Sequence, residues 1–220
     1  MINTYELNKK FDKISVDAIV GNVEFVVSES DNCKVVSDES KKLKCSAAVE
    51  NGTLVIKVYE IRKWYNLFGG SFKTPKITVY LPQKEYDSVN IETETAKVDL
   101  TDTMSKELNI KTTTGSIALE NVKVSGTLNI KTTTGSVEFY GSDAGEIFVK
   151  TTTGKVTGRL LSEKVFIVRT TTGKINVPKS ITGGRCEITT TTGRVDISIK
   201  YKLYALEKGL SIDNPLIHMH

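Results

Sequence analysis

Ile110-Lys111-Thr112-Thr113-Thr114-Gly115 is followed by Ile130-Lys131-Thr132-Thr133-Thr134-Gly135 and Val149-Lys150-Thr151-Thr152-Thr153-Gly154. Val168-Arg169-Thr170-Thr171-Thr172-Gly173 and Ile188-Thr189-Thr190-Thr191-Thr192-Gly193 complete the series. The glycines are 20, 19, 19 and 20 residues apart. A period near twenty, rich in Thr, Val and Ile, is the mark of a β-solenoid in which each repeat is one coil stacked on the last. The sequence therefore predicts an all-β protein, a single-stranded parallel β-helix with coils of about 20 residues and an N-terminal β-hairpin elaboration.

The frame extends backwards. Ile91 to Val98 fits it with Ala96 in the glycine slot, and Val16 to Val23 fits as an atypical first coil. End repeats diverge because they cap the stack. Between these two, Leu43–Glu50 and Thr53–Glu60 alternate around Asn51-Gly52, a strong hairpin signal. A loop with Trp64, Tyr65, Phe68 and Phe72 follows, and then a strand from Lys76 that stops at Pro82. The predicted organisation is one β-solenoid domain over 1–200: a first coil at 10–30, a hairpin and aromatic-loop insertion at 31–82, and regular coils at 88–200. Residues 201–220 carry no repeat and read as a C-terminal cap or tail.

Strand alternation assigns the faces. Leu108 and Ile110, Leu128 and Ile130, Ile147 and Val149, Phe166 and Val168, and Cys186 and Ile188 point inward. So do Thr112 and Thr114 with their equivalents, while Thr113, Thr133, Thr152, Thr171 and Thr191 point out. After the corner a second short strand supplies Ile117 and Leu119, Val137 and Phe139, Ile175 and Val177, and Val195 and Ile197. Gly115, Gly135, Gly154, Gly173 and Gly193 sit at the corner, where positive φ costs glycine nothing. The inward hydroxyls are expected to form ladders, each donating to the next coil. Thr-x-Thr arrays on flat solenoids resemble those of insect-type antifreeze proteins, but that function needs two outward threonine columns and the alternation supplies one.

The chain has 220 residues with 30 Lys and Arg against 26 Asp and Glu, a formal charge of +4. The charge is informative through its placement. Lys111, Lys131, Lys150 and Arg169 share one outward column, and Lys155, Lys174 and Arg194 share another beside the corner. These are the candidate ligand-binding residues, suited to an anionic envelope polymer such as a teichoic acid or to an anionic membrane surface. No aromatic stacking platform interleaves with them, which argues against nucleic acid. Candidate partner contacts are Trp64, Tyr65 and Phe68 in the loop, and Phe148 and Ile167. The last two occupy outward slots where earlier coils carry Asn109 and Asn129, and they are expected to be neighbours, covered by the C-terminal segment.

Chemistry of the catalytic kind finds little footing. The only histidines are His218 and His220, and the three cysteines have no metal-binding spacing. No phosphate loop, nucleophile elbow or dinucleotide fingerprint occurs. Cys186 lies in an inward aliphatic column, where a thiol is inert. Polysaccharide lyases and hydrolases built on β-helices need acids and bases in a groove, and the matching positions here are threonines. The expectation is a non-enzymatic protein with no cofactor and no metal. Met1–Lys10 is polar, without the apolar stretch of a secretory signal, and no run of 18 apolar residues occurs.

The five Thr-Thr-Thr-Gly phrases, the strand ending at Leu81-Pro82, Val89-Asn90-Ile91 after it and the early Val16–Val23 coil together resemble a bacterial family of putative adhesins. That family is known mainly as a domain of unknown function with β-strand repeats. The resemblance covers roughly residues 10–200. It implies a solenoid fold and an adhesin-like binding or scaffold role at the cell envelope, with no catalytic or binding residues to carry over. The alternative reading is an intracellular protein-interaction scaffold using the aromatic loop or the Phe148 and Ile167 positions.

Overall fold

The structure, a computed structural model, describes residues 1–39, 43–60, 75–179 and 181–200. The described residues form 18 strands and no helix. In chain order these are β1 (Ile2–Leu7), β2 (Lys13–Val20), β3 (Asn22–Ser28), β4 (Cys33–Asp38), β5 (Leu43–Glu50) and β6 (Thr53–Glu60). Next come β7 (Lys76–Pro82), β8 (Glu85–Thr95), β9 (Val98–Thr101), β10 (Met104–Thr114), β11 (Ile117–Glu120) and β12 (Lys123–Thr134). The last are β13 (Val137–Thr153), β14 (Val156–Leu160), β15 (Lys164–Thr172), β16 (Ile175–Asn176), β17 (Gly184–Thr192) and β18 (Val195–Ile199).

Each regular repeat gives one longer and one shorter strand, joined at the glycine corner. The longer strands pair in parallel, with Ile91, Ile110, Ile130 and Val149 in one register and the threonine phrases following it. The shorter strands do the same, with Val98, Ile117, Val137 and Val156 in register. β13 runs through both faces and joins them into one 18-stranded sheet. The core lies between the faces as stacked aliphatic columns: Leu108, Ile110, Leu128, Ile130, Ile117, Leu119, Val137 and Phe139 are all buried. Burying a side chain of this size is worth about 1.5–3 kcal/mol, so the repeat stabilises chiefly by stacking.

The architecture is all-β and solenoid-like, but it departs from a simple parallel β-helix in two ways. Its sheet is mixed: β1 with β4, β4 with β7, and β5 with β6 pair antiparallel. β5 and β6 are the expected hairpin, turning through Asn51 (φ 48) and Gly52 (φ 73), both left-handed as a type I′ turn requires. The stacking order also departs from chain order at both ends. β2 lies between β6 and β8. β17 lies between β13 and β15, and β18 between β14 and β16. The Gly154 N–H donates to Thr192 O at 2.9 Å and the Gly193 N–H to Thr172 O at 2.7 Å, so the 188 repeat sits inside the 168 repeat.

This insertion corrects several expectations. β15 and β16 become the outermost coil, so Phe166, Val168 and Val177 are only half-buried and Ile175 is 42% exposed. Thr112, Thr132, Thr151 and Thr190 are buried as expected, but Thr114, Thr134, Thr153, Thr172 and Thr192 are exposed. Alternation stops at Thr112 because the chain is already turning toward the glycine. The inward hydroxyls form no coil-to-coil ladder. Thr112 Oγ1 donates to Thr114 O at 3.3 Å and Thr170 Oγ1 to Thr172 O at 3.1 Å, each within its own coil. Those of Thr93, Thr132, Thr151 and Thr190 are buried with no partner among the described residues.

The corner glycines are needed for a reason beyond φ. Gly115 does have φ 142, but a Cβ there would also lie 1.7 Å from the Ala96 carbonyl oxygen. Gly154 and Gly193 have no φ in the left-handed region, yet their Cβ atoms would lie 1.8 and 1.7 Å from the carbonyl oxygen of the glycine one coil away. Close approach of successive backbones is the shared requirement.

Candidate binding surface

On the face of the longer strands, outward side chains stand in columns at the strand spacing of about 4.8 Å. One column reads Asp17, Glu92, Lys111, Lys131, Lys150, Thr189 and Arg169 in space. The expected four-base stripe is thus interrupted: Thr189 separates Lys150 from Arg169. Lys111 is ion-paired with Glu92. Lys131, Lys150 and Arg169 are exposed and form no ion pair with a described residue.

The neighbouring column reads Ser15, Asn90, Asn109, Asn129, Phe148, Glu187 and Ile167. Asn109 Nδ2 donates to Asn90 Oδ1 at 3.0 Å, and Asn129 Nδ2 to Asn109 Oδ1 at 3.0 Å. This amide ladder floors an open groove of about 520 Å³ walled by Asp17, Glu92, Lys111 and Lys131. Phe148 and Ile167 are not adjacent, because Glu187 of the inserted strand stands between them. Phe148 is half-buried, with the Arg185 guanidinium 5.5 Å above its ring, and Arg185 is in turn paired with Glu187 at 2.5 Å. Trp64, Tyr65 and Phe68 lie outside the described residues, as does the C-terminal segment expected to cover Phe148.

Around the corner, on the face of the shorter strands, the first outward column reads Lys97, Ser116, Ser136, Lys155, Arg194 and Lys174. Insertion here brings Arg194 between Lys155 and Lys174. Arg194 pairs with Asp196 at 3.0 Å, whereas Lys155 and Lys174 are exposed without an ion pair to a described residue. A second open groove, of about 430 Å³, lies over Ala118 between Asp99, Glu120, Glu138 and Tyr140. Two of its acids are engaged: Lys97 holds Asp99 at 3.0 Å and the Tyr140 hydroxyl donates to Glu138.

Exposed threonines make two columns rather than one: Thr113 and its equivalents, and Thr114 and its equivalents. They are consecutive residues, so they diverge around the corner and do not build an i,i+2 array on one flat face.

The thiols are far from reactive. Burial pushes Cys33 and Cys186 up to about 12, and Cys45 to about 11. All three are free and buried. Among the described residues no three His, Cys, Asp or Glu side chains gather as a metal would require.

These registers define a class: an all-β repeat protein that stacks short parallel strands around a glycine corner. The chain belongs to the Toastrack DUF4097 family, which matches residues 11–210. No protein of curated function matches the sequence. A "putative cell adhesion protein" from Clostridium sporogenes is similar at 14% identity, over 91% of this chain and 100% of that one, with a TM-score of 0.49. A "putative adhesin" from Bacteroides fragilis is similar at 17% identity, over 91% and 97%, with a TM-score of 0.46. A "putative lipid binding protein" from Parabacteroides distasonis has 15% identity over 91% and 97%, with a TM-score of 0.38.

Proposed function

We propose that this chain is a non-enzymatic, adhesin-like binding module of the bacterial cell envelope, in which the solenoid-like stack serves as a rigid ruler. The observation that carries the reading is the register of its outward side chains. The Asn90, Asn109 and Asn129 ladder and the flanking charged column repeat one contact at strand spacing along an open face. Such a surface suits a repeating or extended ligand better than a single small molecule, which favours a concave, enclosed pocket. Both grooves are open.

The test is sedimentation of the purified chain with isolated envelopes of the source cells, together with protease shaving of those cells probed by an antibody to this domain. Co-sedimentation with envelopes and cleavage from intact cells are expected. A chain that stays in the supernatant at low salt and is protected in intact cells overturns the reading and returns attention to an intracellular scaffold.

A further inference from the structure

We infer that the C-terminal corner of the stack is a docking strip for a linear polyanion of linked phosphate groups. The inference rests on the binding-module reading and names its ligand class and its place. Lys131, Lys150 and Arg169 stand on one side of the glycine corner, and Lys155, Arg194 and Lys174 on the other. Only Arg194 of these six is ion-paired with a described residue. Two acids that flank the strip are occupied, Asp196 by Arg194 and Glu187 by Arg185. The opposite end of the same corner is different: it carries Asp17, Glu92 and Glu94, its lysines Lys76, Lys97 and Lys111 are paired with Glu24, Asp99 and Glu92, and Lys57 stands in register beside Asp17. The corner is therefore charged unevenly along its length: five cations without an ion pair to a described residue gather where the inserted coil stacks, against Lys57 beside three acids at the other end.

Between the two cationic columns runs a ridge of exposed hydroxyls: Thr152, Thr153, Thr171, Thr172, Thr191 and Thr192. Hydroxyl donors interleaved with ammonium and guanidinium groups match the several acceptor oxygens of phosphate. From Lys131 to Arg169 the strip crosses three strand spacings, roughly 14 Å. A single phosphate can touch two of these cations at most, whereas linked phosphates can follow all of them. A flat bilayer fits less well, because the cations lie on two faces that diverge from the ridge. Insertion of the 188 repeat reorders the strip: it sets Thr189 between Lys150 and Arg169 and moves Arg194 inward. In chain order Lys155 and Lys174 would be adjacent and Arg194 would follow on the outside; as built, Arg194 and the Thr191–Thr192 hydroxyls lie within it.

The experiment measures binding of the full chain to poly(glycerol phosphate), to orthophosphate and to phosphatidylglycerol vesicles across a salt series. Poly(glycerol phosphate) should bind, with affinity falling steeply as salt rises through counterion release. The variant K150Q/K155Q/R169Q/K174Q, checked to melt like the parent, should lose at least tenfold in affinity. Its salt slope should fall by about three, at roughly 0.7 for each lost contact to a single strand. A control with the same charge loss elsewhere, K9Q/K10Q/K34Q/K123Q, should stay within about twofold. Equal losses in the two variants, tighter binding of orthophosphate or of vesicles than of the polymer, or no polymer binding at low salt would each overturn the inference. If envelope sedimentation persists while polymer binding fails, only the strip is wrong. If both fail, the module reading falls with it.

Discussion

Lys164 Nζ lies 2.9 Å from Asp143 Oδ1, although β15 and β13, which carry them, are not neighbours and β17 runs between them. The lysine is 4% exposed and the aspartate 19%. Lys164 reaches over Gly184, its register partner on β17, and also donates to Ser162 Oγ at 2.6 Å. A Cβ on Gly184 would lie 1.8 Å from the Gly145 carbonyl oxygen and 3.7 Å from Lys164 Cδ. The missing side chain lets three coils close up and leaves the lysine its path. The pair thus staples the outermost coil to the third coil in, across the inserted one.

Removing one partner of a buried ion pair strands the other charge, at a cost of about 3–5 kcal/mol. Asp143 retains some solvent, so Lys164→Ala should cost about 3 kcal/mol by urea unfolding. Lys164→Met with Asp143→Asn should recover most of that loss. If the two single changes prove additive in the double variant, the residues are not energetically coupled and the staple is wrong.

Gly115→Ala tests the corner. The added Cβ would meet the Ala96 carbonyl oxygen at 1.7 Å, in a backbone with φ 142. Backbone strain of this kind costs about 1–3 kcal/mol before any clash is counted. The prediction is a loss of at least about 3 kcal/mol, against less than about 1 kcal/mol for Thr113→Ala on the exposed face beside it. Equal melting temperatures for the two variants would contradict the close-approach argument.

Much of the architecture is legible in the sequence because it is local. Asn51-Gly52 announces its hairpin, and the Ile110, Ile130 and Val149 column follows from alternation alone. The stacking order is not local. Because every repeat carries the same phrase, the 149 strand can accept the 188 strand in the same register as the 168 strand, and no residue in the phrase distinguishes them. Chain order therefore predicts a continuous basic stripe, and Thr189 breaks it. Strict alternation also turns Thr114 inward, whereas it stands exposed because the chain starts to turn after Thr112. Gly184 and Lys164 fit the inserted order, but their meaning depends on a contact between non-adjacent strands.

The thiols offer a direct check on burial. Cys33, Cys45 and Cys186 are buried, with burial raising each pKa to about 11 or 12. A thiol reagent at pH 8 should modify none of them in the native protein within minutes, and all three after addition of denaturant. Rapid reaction of one thiol in the native state would show that its coil opens locally, and Cys186 on the inserted strand is the most informative of the three.

Glu39 supplies a pH dependence whose sign can be worked out. Its side chain is almost wholly buried, and burial alone would raise its pKa. Hydrogen bonds from Lys44, Asn3 and the Cys45 N–H outweigh that effect, and the carboxyl is held below its ordinary value. The Lys44 ammonium is 2.9 Å away and the Cys45 N–H 3.1 Å away. Tyr5, pushed up to about 12 mainly by burial, and Cys45, at about 11, stay neutral throughout the acid range. A carboxyl with a depressed folded pKa stabilises the fold above its unfolded value near 4.3. That contribution is lost as the pH falls through the folded value. Glu39→Gln should therefore lower stability at pH 7 by about 1–3 kcal/mol. The difference from the parent should shrink as the pH drops from 5 toward 3, because the unfolded carboxyl takes up its proton first and the advantage of the charged, hydrogen-bonded form falls with it. Melting temperatures of the two proteins across that range decide the matter. A gap as wide at pH 3 as at pH 7 would mean that packing at Glu39, not its charge, accounts for the loss.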